Sequence, residues 1–458
     1  MTTFTAPLQL DQNAHSQREH PEEALESNVD DGENHQRDGL NYQQLKPVDG
    51  GLAAWKMLIA AFVFEALFWG FPTAFGVFQN YYSSLPQFKG DSRVALIGTI
   101  AQGLCYLGAP FSAALTKRFP KYQRQQIWLG WPLCIFGLLA ASFATTLPGL
   151  IATQGVMYGV GFVTLTYPII SMVNEWWVTR KGMAFGLISS ASGASGAAMP
   201  FIIEALLQRY GYKTTLRACA VGLVLLTAPL LPFLVGRLPP AERSAVAKTN
   251  WSFISKPLFW VYCTSTLVQG LGFFFPPIYL PSYATEIGLR SSQGALLLCI
   301  MAIAQTLGQF AFGYLSDKQV SVSILCIICS VMATVASLVL WGLSKSLSLL
   351  LVFSMIYGFF GFGFGTMRVA MGRAVSTDPS ATVATYSILV FLQGVGNILA
   401  GPISVGLLSQ TVAMQSYGVL RYRSLVIFTG ACMFGSALVI GLWHARPTKL
   451  RVLKLGSS

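Results

Sequence analysis

Residues 308–318 read Gly-Gln-Phe-Ala-Phe-Gly-Tyr-Leu-Ser-Asp-Lys, and residues 108–118 read Gly-Ala-Pro-Phe-Ser-Ala-Ala-Leu-Thr-Lys-Arg. Each stretch joins an apolar segment rich in small residues to a charged end. The two stretches are similar and lie 200 residues apart. A duplication at such an offset is typical of membrane proteins built from two related halves. Further pairs keep nearly the same offset: Tyr158-Gly159 with Tyr357-Gly358, and Gly193, Gly196 and Pro200 with Gly394, Gly396 and Pro402.

The composition indicates an integral membrane protein. Charged residues make up 10% of the chain and hydrophobic residues 53%, whereas a soluble domain is roughly 25% charged. Lys and Arg lie in short clusters between apolar stretches of about 20 residues, the length that spans a bilayer. The basic excess therefore reports membrane topology, and we expect a lipid bilayer and no nucleic acid as the partner.

The apolar stretches predict an all-α protein with twelve transmembrane helices in two pseudo-symmetric halves of six. Each stretch ends at charged residues, Gly or Pro, and each has the length that a bilayer requires. The predicted helices cover residues 55–81, 93–115, 127–146, 148–174, 182–207, 216–236, 258–281, 292–315, 321–343, 347–367, 381–408 and 424–443.

The regions outside the helices differ sharply in charge. Residues 1–49 hold ten of the eighteen acidic residues but three of the thirty basic ones, and they contain no apolar run. We predict a disordered acidic tail at 1–54, because such a segment cannot bury enough apolar surface to fold. The first half then covers 55–236, a cytoplasmic linker 237–257, the second half 258–443, and a basic tail 444–458.

The positive-inside rule predicts that both termini are cytoplasmic. With that orientation, the cytoplasmic loops and the C-terminal tail hold sixteen Lys and Arg and the opposite side holds nine, which is the bias that the rule describes. We expect a multi-pass protein of the plasma membrane, with the vacuole or another internal membrane left open.

Small residues form a stripe along the fifth predicted helix. Gly186, Gly193 and Gly196 recur there among Ala and Ser. Small residues allow helix backbones to approach closely, and such packing is a main association force in lipid. We predict a helix-packing role for these glycines, either as a static seam or as a sliding interface.

At these residues the sequence resembles the major facilitator superfamily. The superfamily's loop motif, Gly-x-Leu-x-Asp-Arg/Lys, is similar to the stretch that carries Gly313, Asp317 and Lys318. In the first half Lys117 takes the place of the acid and Arg118 follows it. The resemblance implies that both stretches belong to a conformational switch, with the contact attributed to the acid changed on the first-half side.

Further motifs resemble the monocarboxylate transporter family, especially its fungal branch. Residues 176–186, Trp-Trp-Val-Thr-Arg-Lys-Gly-Met-Ala-Phe-Gly, are similar to the family's fifth-helix signature, and residues 358–365 are similar to its tenth helix. The first-helix signature is partly kept in Asp49-Gly50-Gly51-Leu-Ala-Ala-Trp55. The resemblance implies a transporter of a small organic solute.

The charges that lactate-carrying family members share are missing. Their first-helix lysine corresponds to Thr73, and their eighth-helix Asp and Arg correspond to Gln305 and Gln309. The two glutamines share one helix face and suit a neutral polar solute, or else they bond neighbouring helices. The resemblance makes Thr73, Gln305 and Gln309 candidates for the solute pathway and makes lactate a poor candidate for the solute.

Glu65 and Arg368 are the other candidates for the solute pathway. Glu65 falls near the middle of the first predicted helix, where a charge is costly and usually faces a cavity or a partner. It is therefore a solute contact or a proton carrier, or half of a satisfied structural pair. Arg368 lies close to a helix end, and that position favours snorkelling to the cytoplasmic surface.

The function predicted from the sequence is secondary active or facilitative transport of a small organic solute by rocker-switch alternating access. The solute is an organic acid or a secondary metabolite, with protons as a candidate coupling ion. An uptake permease for a vitamin-like compound and a non-transporting nutrient sensor are the alternatives. A membrane enzyme is disfavoured, because His444 is the one His beyond residue 50; we expect no metal, cofactor or use of ATP.

Overall fold

The computed structural model describes residues 47–88, 91–238, 251–318, 320–408 and 421–445. Most of the predicted acidic tail, residues 239–250 of the predicted linker and residues 446–458 of the predicted basic tail lie outside the described residues. Within the described ranges the regular structure is entirely helical. The fold class predicted from the sequence is therefore confirmed.

Twelve helices, α1 to α12, follow one another along the described chain, several of them interrupted by a break or a π-helical turn. Their bounds are α1 Gly51–Thr73 with Phe75–Ser84, α2 Ala95–Leu107 with Ala109–Arg118, α3 Gln123–Ala141, α4 Leu147–Leu150 with Ile151–Met157 and Tyr158–Trp176, α5 181–210, α6 212–227, α7 Pro257–Phe273 with Phe275–Glu286, α8 Ser291–Leu315, α9 Val322–Val335 with Ala336–Trp341, α10 Leu347–Ile356 with Tyr357–Gly361 and Phe362–Val375, α11 Pro379–Leu408 and α12 Arg423–Ala445.

Nine of the described helices are long and apolar enough to cross a membrane, and the bent α2 makes ten. One of the nine, Lys181–Phe233, runs for 53 residues; a straight helix of that length would extend about 80 Å, more than twice the hydrocarbon thickness. It therefore contains α5 and α6. The helix α3 is not among these ten. Its polar start, Gln-Arg-Gln-Gln at 123–126, lowers the mean hydropathy of the helix.

The loop predicted between α5 and α6 is absent from the structure. The sequence analysis separated the two helices at residues 208–215, but the helix continues to Tyr210 and is broken at the single residue Gly211, with φ 73° and ψ 170°. A residue with a Cβ is strained at such a positive φ, whereas glycine adopts it freely. The chain thus passes from α5 into α6 through one glycine.

In both halves a tyrosine hydroxyl supplies the hydrogen bond that a proline removes from a helix. Pro72 in α1 has no N–H to donate to the carbonyl of Phe68, four residues earlier; the Tyr158 hydroxyl of α4 donates to that carbonyl at 2.6 Å. Pro277 in α7 likewise leaves the Phe273 carbonyl open, and the Tyr357 hydroxyl of α10 donates to it at 3.0 Å. The internal repeat therefore extends to individual hydrogen bonds.

Candidate functional site

A cavity of about 1180 Å³ lies between the two halves. Its lining reaches Tyr81 at the end of α1, Gln208 at the end of α5 and Ser282 in α7, but on the other side it stops at Arg368 of α10 and Tyr386 of α11. The cavity thus opens toward the face opposite the one predicted to be cytoplasmic. The predicted cytoplasmic face is closed beneath it.

Asp317 joins the halves at the closed face. Its carboxylate follows α8 and accepts hydrogen bonds from the backbone N–H groups of Gly182 at 2.7 Å and Met183 at 2.6 Å, in the first turn of α5. The N–H groups of a first helical turn have no partner within the helix, so a carboxylate suits them. Arg373 of α10 forms an ion pair with the same carboxylate at 2.8 Å.

The equivalent position in the first half, Lys117, also contacts the other half. Its ammonium donates a hydrogen bond to the backbone carbonyl of Ser380 at the start of α11. Asp378 lies just before that helix and accepts from the Ser380 N–H at 2.8 Å. A contact between the halves therefore persists where the acid of the motif is replaced, but here the motif side chain is the donor, whereas Asp317 is the acceptor. Arg118, the residue after Lys117, is exposed.

Asp49 binds the three residues that immediately precede α5. Its carboxylate accepts hydrogen bonds of 2.9–3.0 Å from the backbone N–H groups of Val178, Thr179 and Arg180. Burial opposes ionisation of Asp49, but the hydrogen bonds from Arg180, Thr179 and Val178 outweigh it and hold the pKa of this carboxyl below its ordinary value of 3.8. The sequence analysis quoted Asp49 as part of a motif but assigned it no role.

The packing of α5 against α8 is tight at the closed face and looser at the cavity. A Cβ on Gly186 would lie 2.8 Å from the Gln309 carbonyl oxygen and from the Gly313 Cα, and one on Gly193 would lie 2.6 Å from the Thr306 hydroxyl. A Cβ on Gly196, which lines the cavity, would meet its nearest atom at 3.6 Å. The stripe of small residues thus lies in the interface between the two halves.

Glu65 lies at the cavity in the middle of α1. It is 4% exposed, and its Oε1 is buried without a hydrogen-bond partner. The Thr166 hydroxyl of α4 and the Trp69 side chain of α1 lie beside this carboxyl and interact with it. An unpartnered carboxyl oxygen in a buried site is costly, so this region favours a bound group or a proton. Thr73 also lines the cavity, but its hydroxyl donates to the Trp69 carbonyl at 2.9 Å.

The two glutamines of α8 both line the cavity but differ in their partners. The Gln305 amide donates to the Ser192 hydroxyl of α5 at 3.0 Å, so this side chain bridges the halves. The Gln309 side chain is 7% exposed and its Oε1 is buried without a partner. Gln309 therefore has an acceptor without a partner at the cavity, whereas one N–H of Gln305 is used in the hydrogen bond to Ser192.

Arg368 does not snorkel to the predicted cytoplasmic surface. A Cβ placed on Gly365, one turn earlier in α10, would lie 2.7 Å from the Arg368 Nη2. The side chain therefore folds back along α10, away from the closed face, as helical side chains generally do. Both residues line the cavity. The position of Arg368 near a helix end suggested snorkelling, but Gly365 leaves room for the guanidinium at the cavity.

Three tyrosines complete the inner part of the cavity and were not predicted. Tyr106, Tyr167 and Tyr386 line it, and all three lie within electrostatic range of Arg368. Tyr167 and Tyr386 are also within range of Glu65. Aromatic residues are common throughout membrane helices, so nothing in their spacing distinguished these three. Gly365, three residues before Arg368, was the one feature of the sequence that could have indicated the direction of the Arg368 side chain.

Curated proteins of similar sequence are transporters. The chain is 25% identical over 397 residues to the MFS transporter asaE of Aspergillus flavus, covering 86% of this chain and 87% of that protein. It is 25% identical over 425 residues to the Fujikurins efflux protein of Gibberella fujikuroi, with 92% and 87% covered. It is 26% identical over 416 residues to monocarboxylate transporter 13 of Rattus norvegicus, with 87% and 91% covered.

Solved structures with the same fold include the proton:xylose symporter XylE bound to 6-bromo-6-deoxy-D-glucose, with a TM-score of 0.63 and 11% identity over 86% of this chain and 96% of that one. FucP in its outward conformation superposes with a TM-score of 0.61 and 12% identity over 84% and 99%. Residues 57–401 match the sequence profile of the Major Facilitator Superfamily. A match of that length, on a twelve-helix fold with the same architecture, shows that this chain is a multi-pass membrane transporter and belongs to the major facilitator superfamily.

Proposed function

We propose that the chain is a secondary transporter of the monocarboxylate transporter type, fungal branch, which exports a small organic acid or secondary metabolite. The observation that carries this proposal is the cavity between the halves, open at one face and closed at the other. A solute of drug-like size fits a cavity of about 1180 Å³, since small-molecule sites usually measure about 300–1,000 Å³.

The relatives support the direction and the kind of solute. One of the fungal proteins is named as an efflux protein for fujikurins, and a mammalian relative is named as a monocarboxylate transporter. The family motifs around Trp176 and Gly358 agree with that relationship. Because export from the cell requires the plasma membrane, we propose that the chain resides there.

The contacts at the closed face support a rocker-switch mechanism. Opening that face requires the Asp317 bonds to Gly182 and Met183 to break, together with the Lys117 bond to Ser380. These few polar contacts and the close α5–α8 packing are local, so the halves can separate there as rigid bodies. The same rotation closes the opposite face over the solute.

Liposomes that contain the purified chain test the proposal. A library of aromatic and aliphatic carboxylic acids is added outside, and the trapped contents are measured by mass spectrometry. The parent is expected to accumulate or exchange at least one acid beyond protein-free liposomes. Ser192→Trp, which places a bulky side chain in the cavity, should not. Binding without any transport would instead favour a sensor on the same fold, and accumulation by both proteins would dissociate transport from the cavity.

A further inference from the structure

The guanidinium of Arg368 is held at the inner end of the cavity by the shape of α10. Gly365 lies under it, and a Cβ at that position would overlap the Nη2 at 2.7 Å. Among the described residues that line the cavity, Arg368 is the one cation. The carboxyls that share the cavity are Glu65, on α1, and Glu204, which lies toward the open face and accepts a 3.2 Å hydrogen bond from Gln208.

Arg368 has more donors than the described residues satisfy. Its Nε is buried without a hydrogen-bond partner, and its Nη2 lies 3.5 Å from the Gln393 Oε1, at the limit of a hydrogen bond. No acidic residue of the described chain forms an ion pair with it. Arg368 is half-buried, an unpaired charge that is partly withdrawn from water is costly, and a guanidinium binds a carboxylate through two parallel N–H donors. The group is therefore arranged for an anion that the protein does not supply.

The surroundings of Arg368 suit a flat, largely apolar solute body. Twelve aromatic side chains line the cavity. Tyr106, Tyr167 and Tyr386 lie within electrostatic range of the guanidinium, and their hydroxyls make no hydrogen bond within the described residues. Aromatic walls bind planar groups through stacked and edge contacts. The open acceptor of Gln309 adds a place for a hydroxyl or amide donor of the solute.

We infer that Arg368 binds the anionic group of the transported solute, and that this solute is an aromatic or conjugated monocarboxylate rather than a neutral compound or a short aliphatic acid. The inference rests on the proposed function and names the substrate class of the same cavity. The positive charge comes from α10, whereas the eighth-helix position that resembles the family's arginine is Gln309. A small acid such as lactate would leave the aromatic walls unused.

The test compares each acid with its own amide, which keeps the shape and removes the charge. Binding of 2-naphthoate and 2-naphthamide, and of cinnamate and cinnamamide, to the full-length purified protein is measured by calorimetry. The parent is expected to bind the acids at least about tenfold more tightly than the amides, the worth of a hydrogen bond to a charged group. Arg368→Gln should reduce that ratio to near one, while the exposed Arg124→Gln keeps it.

A second variant decides the matter if Arg368→Gln does not fold. Gly365→Ala keeps the charge but displaces the guanidinium, so it should lower the affinity for the acids and leave the amides nearly unchanged. Equal binding of acids and amides by the parent, or an unchanged preference in both variants, overturns the inference. Neither of those results would contradict the proposed function, which the liposome experiment tests separately. Acid-selective binding without transport would refute the proposed function instead.

Discussion

The carboxylate of Asp317 in the second half accepts a 2.7 Å hydrogen bond from the backbone N–H of Gly182 in the first half. Because this bond exists only while the predicted cytoplasmic face is closed, it stabilises the conformation whose cavity opens to the other face. The same carboxylate is bonded by Met183 and paired with Arg373. It thus connects α5 of the first half with α8 and α10 of the second half at the closed face.

Asp317→Ala is expected to favour opening of the predicted cytoplasmic face. Hydrogen bonds to a charged group contribute about 1.5–3 kcal/mol, so the population should shift by a factor of about ten or more. A cysteine introduced at Ser189, which lines the cavity, reports the change through its labelling rate in inside-out vesicles. Asp91→Asn, which removes an acid paired with the exposed Arg93, should label like the parent. Equal rates in all three proteins would exclude this role for Asp317.

Gly186→Ala is expected to destabilise the described conformation, whereas Gly196→Ala is expected to be tolerated. The new Cβ at 186 meets backbone atoms of α8 at 2.8 Å, which cannot rotate away, while the Cβ at 196 has 3.6 Å of clearance. Overpacking of this kind costs about 1–3 kcal/mol. Thermal unfolding followed by tryptophan fluorescence should show a lower midpoint for Gly186→Ala alone. Identical midpoints would mean that the helices are not held this closely.

Tyr158→Phe should be destabilising by about 1–3 kcal/mol, because it leaves the buried carbonyl of Phe68 without a donor. Pro72→Ala restores a backbone N–H four residues after Phe68, so the double variant should recover much of the loss. A double-mutant cycle measures the coupling. The second half supplies an independent copy in Tyr357 and Pro277. Additive effects in both cycles would show that the tyrosines do not replace the missing donors.

The sequence was sufficient for the fold because a bilayer imposes simple rules. Apolar length and the repeat predicted twelve helices, since no other spanning structure with these stretches satisfies its backbone. The break at Gly211 escaped prediction because the dihedral angles of one glycine replace a loop there. The tyrosines and prolines could be read from the sequence. The hydrogen bonds from the tyrosine hydroxyls could not be predicted, because they join helices that are distant in the chain.

The candidate site was harder to predict because it depends on side-chain direction. The sequence identified Glu65 by its depth in the first helix, and Gln305 and Gln309 through the resemblance to the monocarboxylate transporter family; all three line the cavity. It could not show that Gln305 is bonded to Ser192 while Gln309 keeps a free acceptor. For Arg368, depth along the helix indicated the membrane surface, but the backward tilt of the side chain over Gly365 places the charge at the cavity.

Glu65→Gln tests proton coupling. We predict that a pH gradient drives net solute movement by the parent in liposomes and that the variant loses this response, because Gln keeps the shape of the side chain but cannot exchange a proton. Exchange of solute for solute should survive, since it moves no net proton. Glu204→Gln makes the same change at the other described carboxyl of the cavity and should behave like the parent. A Glu65→Gln variant that still follows the gradient would exclude Glu65 as the coupling group.

Alternation of the cavity between the two faces is tested most directly by distances between spin labels in lipid nanodiscs. One pair, at the exposed residues Ser84 and Thr285, spans the open face, and another, at Val178 and Lys318, spans the closed face; Cys219 and Cys299, the two cysteines that are not buried, are replaced by Ala. We predict two populations in which one distance shortens as the other lengthens, with Asp317→Ala enriching the state open at the predicted cytoplasmic face. A single unchanging distance for each pair, in the parent and in this variant, would contradict alternating access.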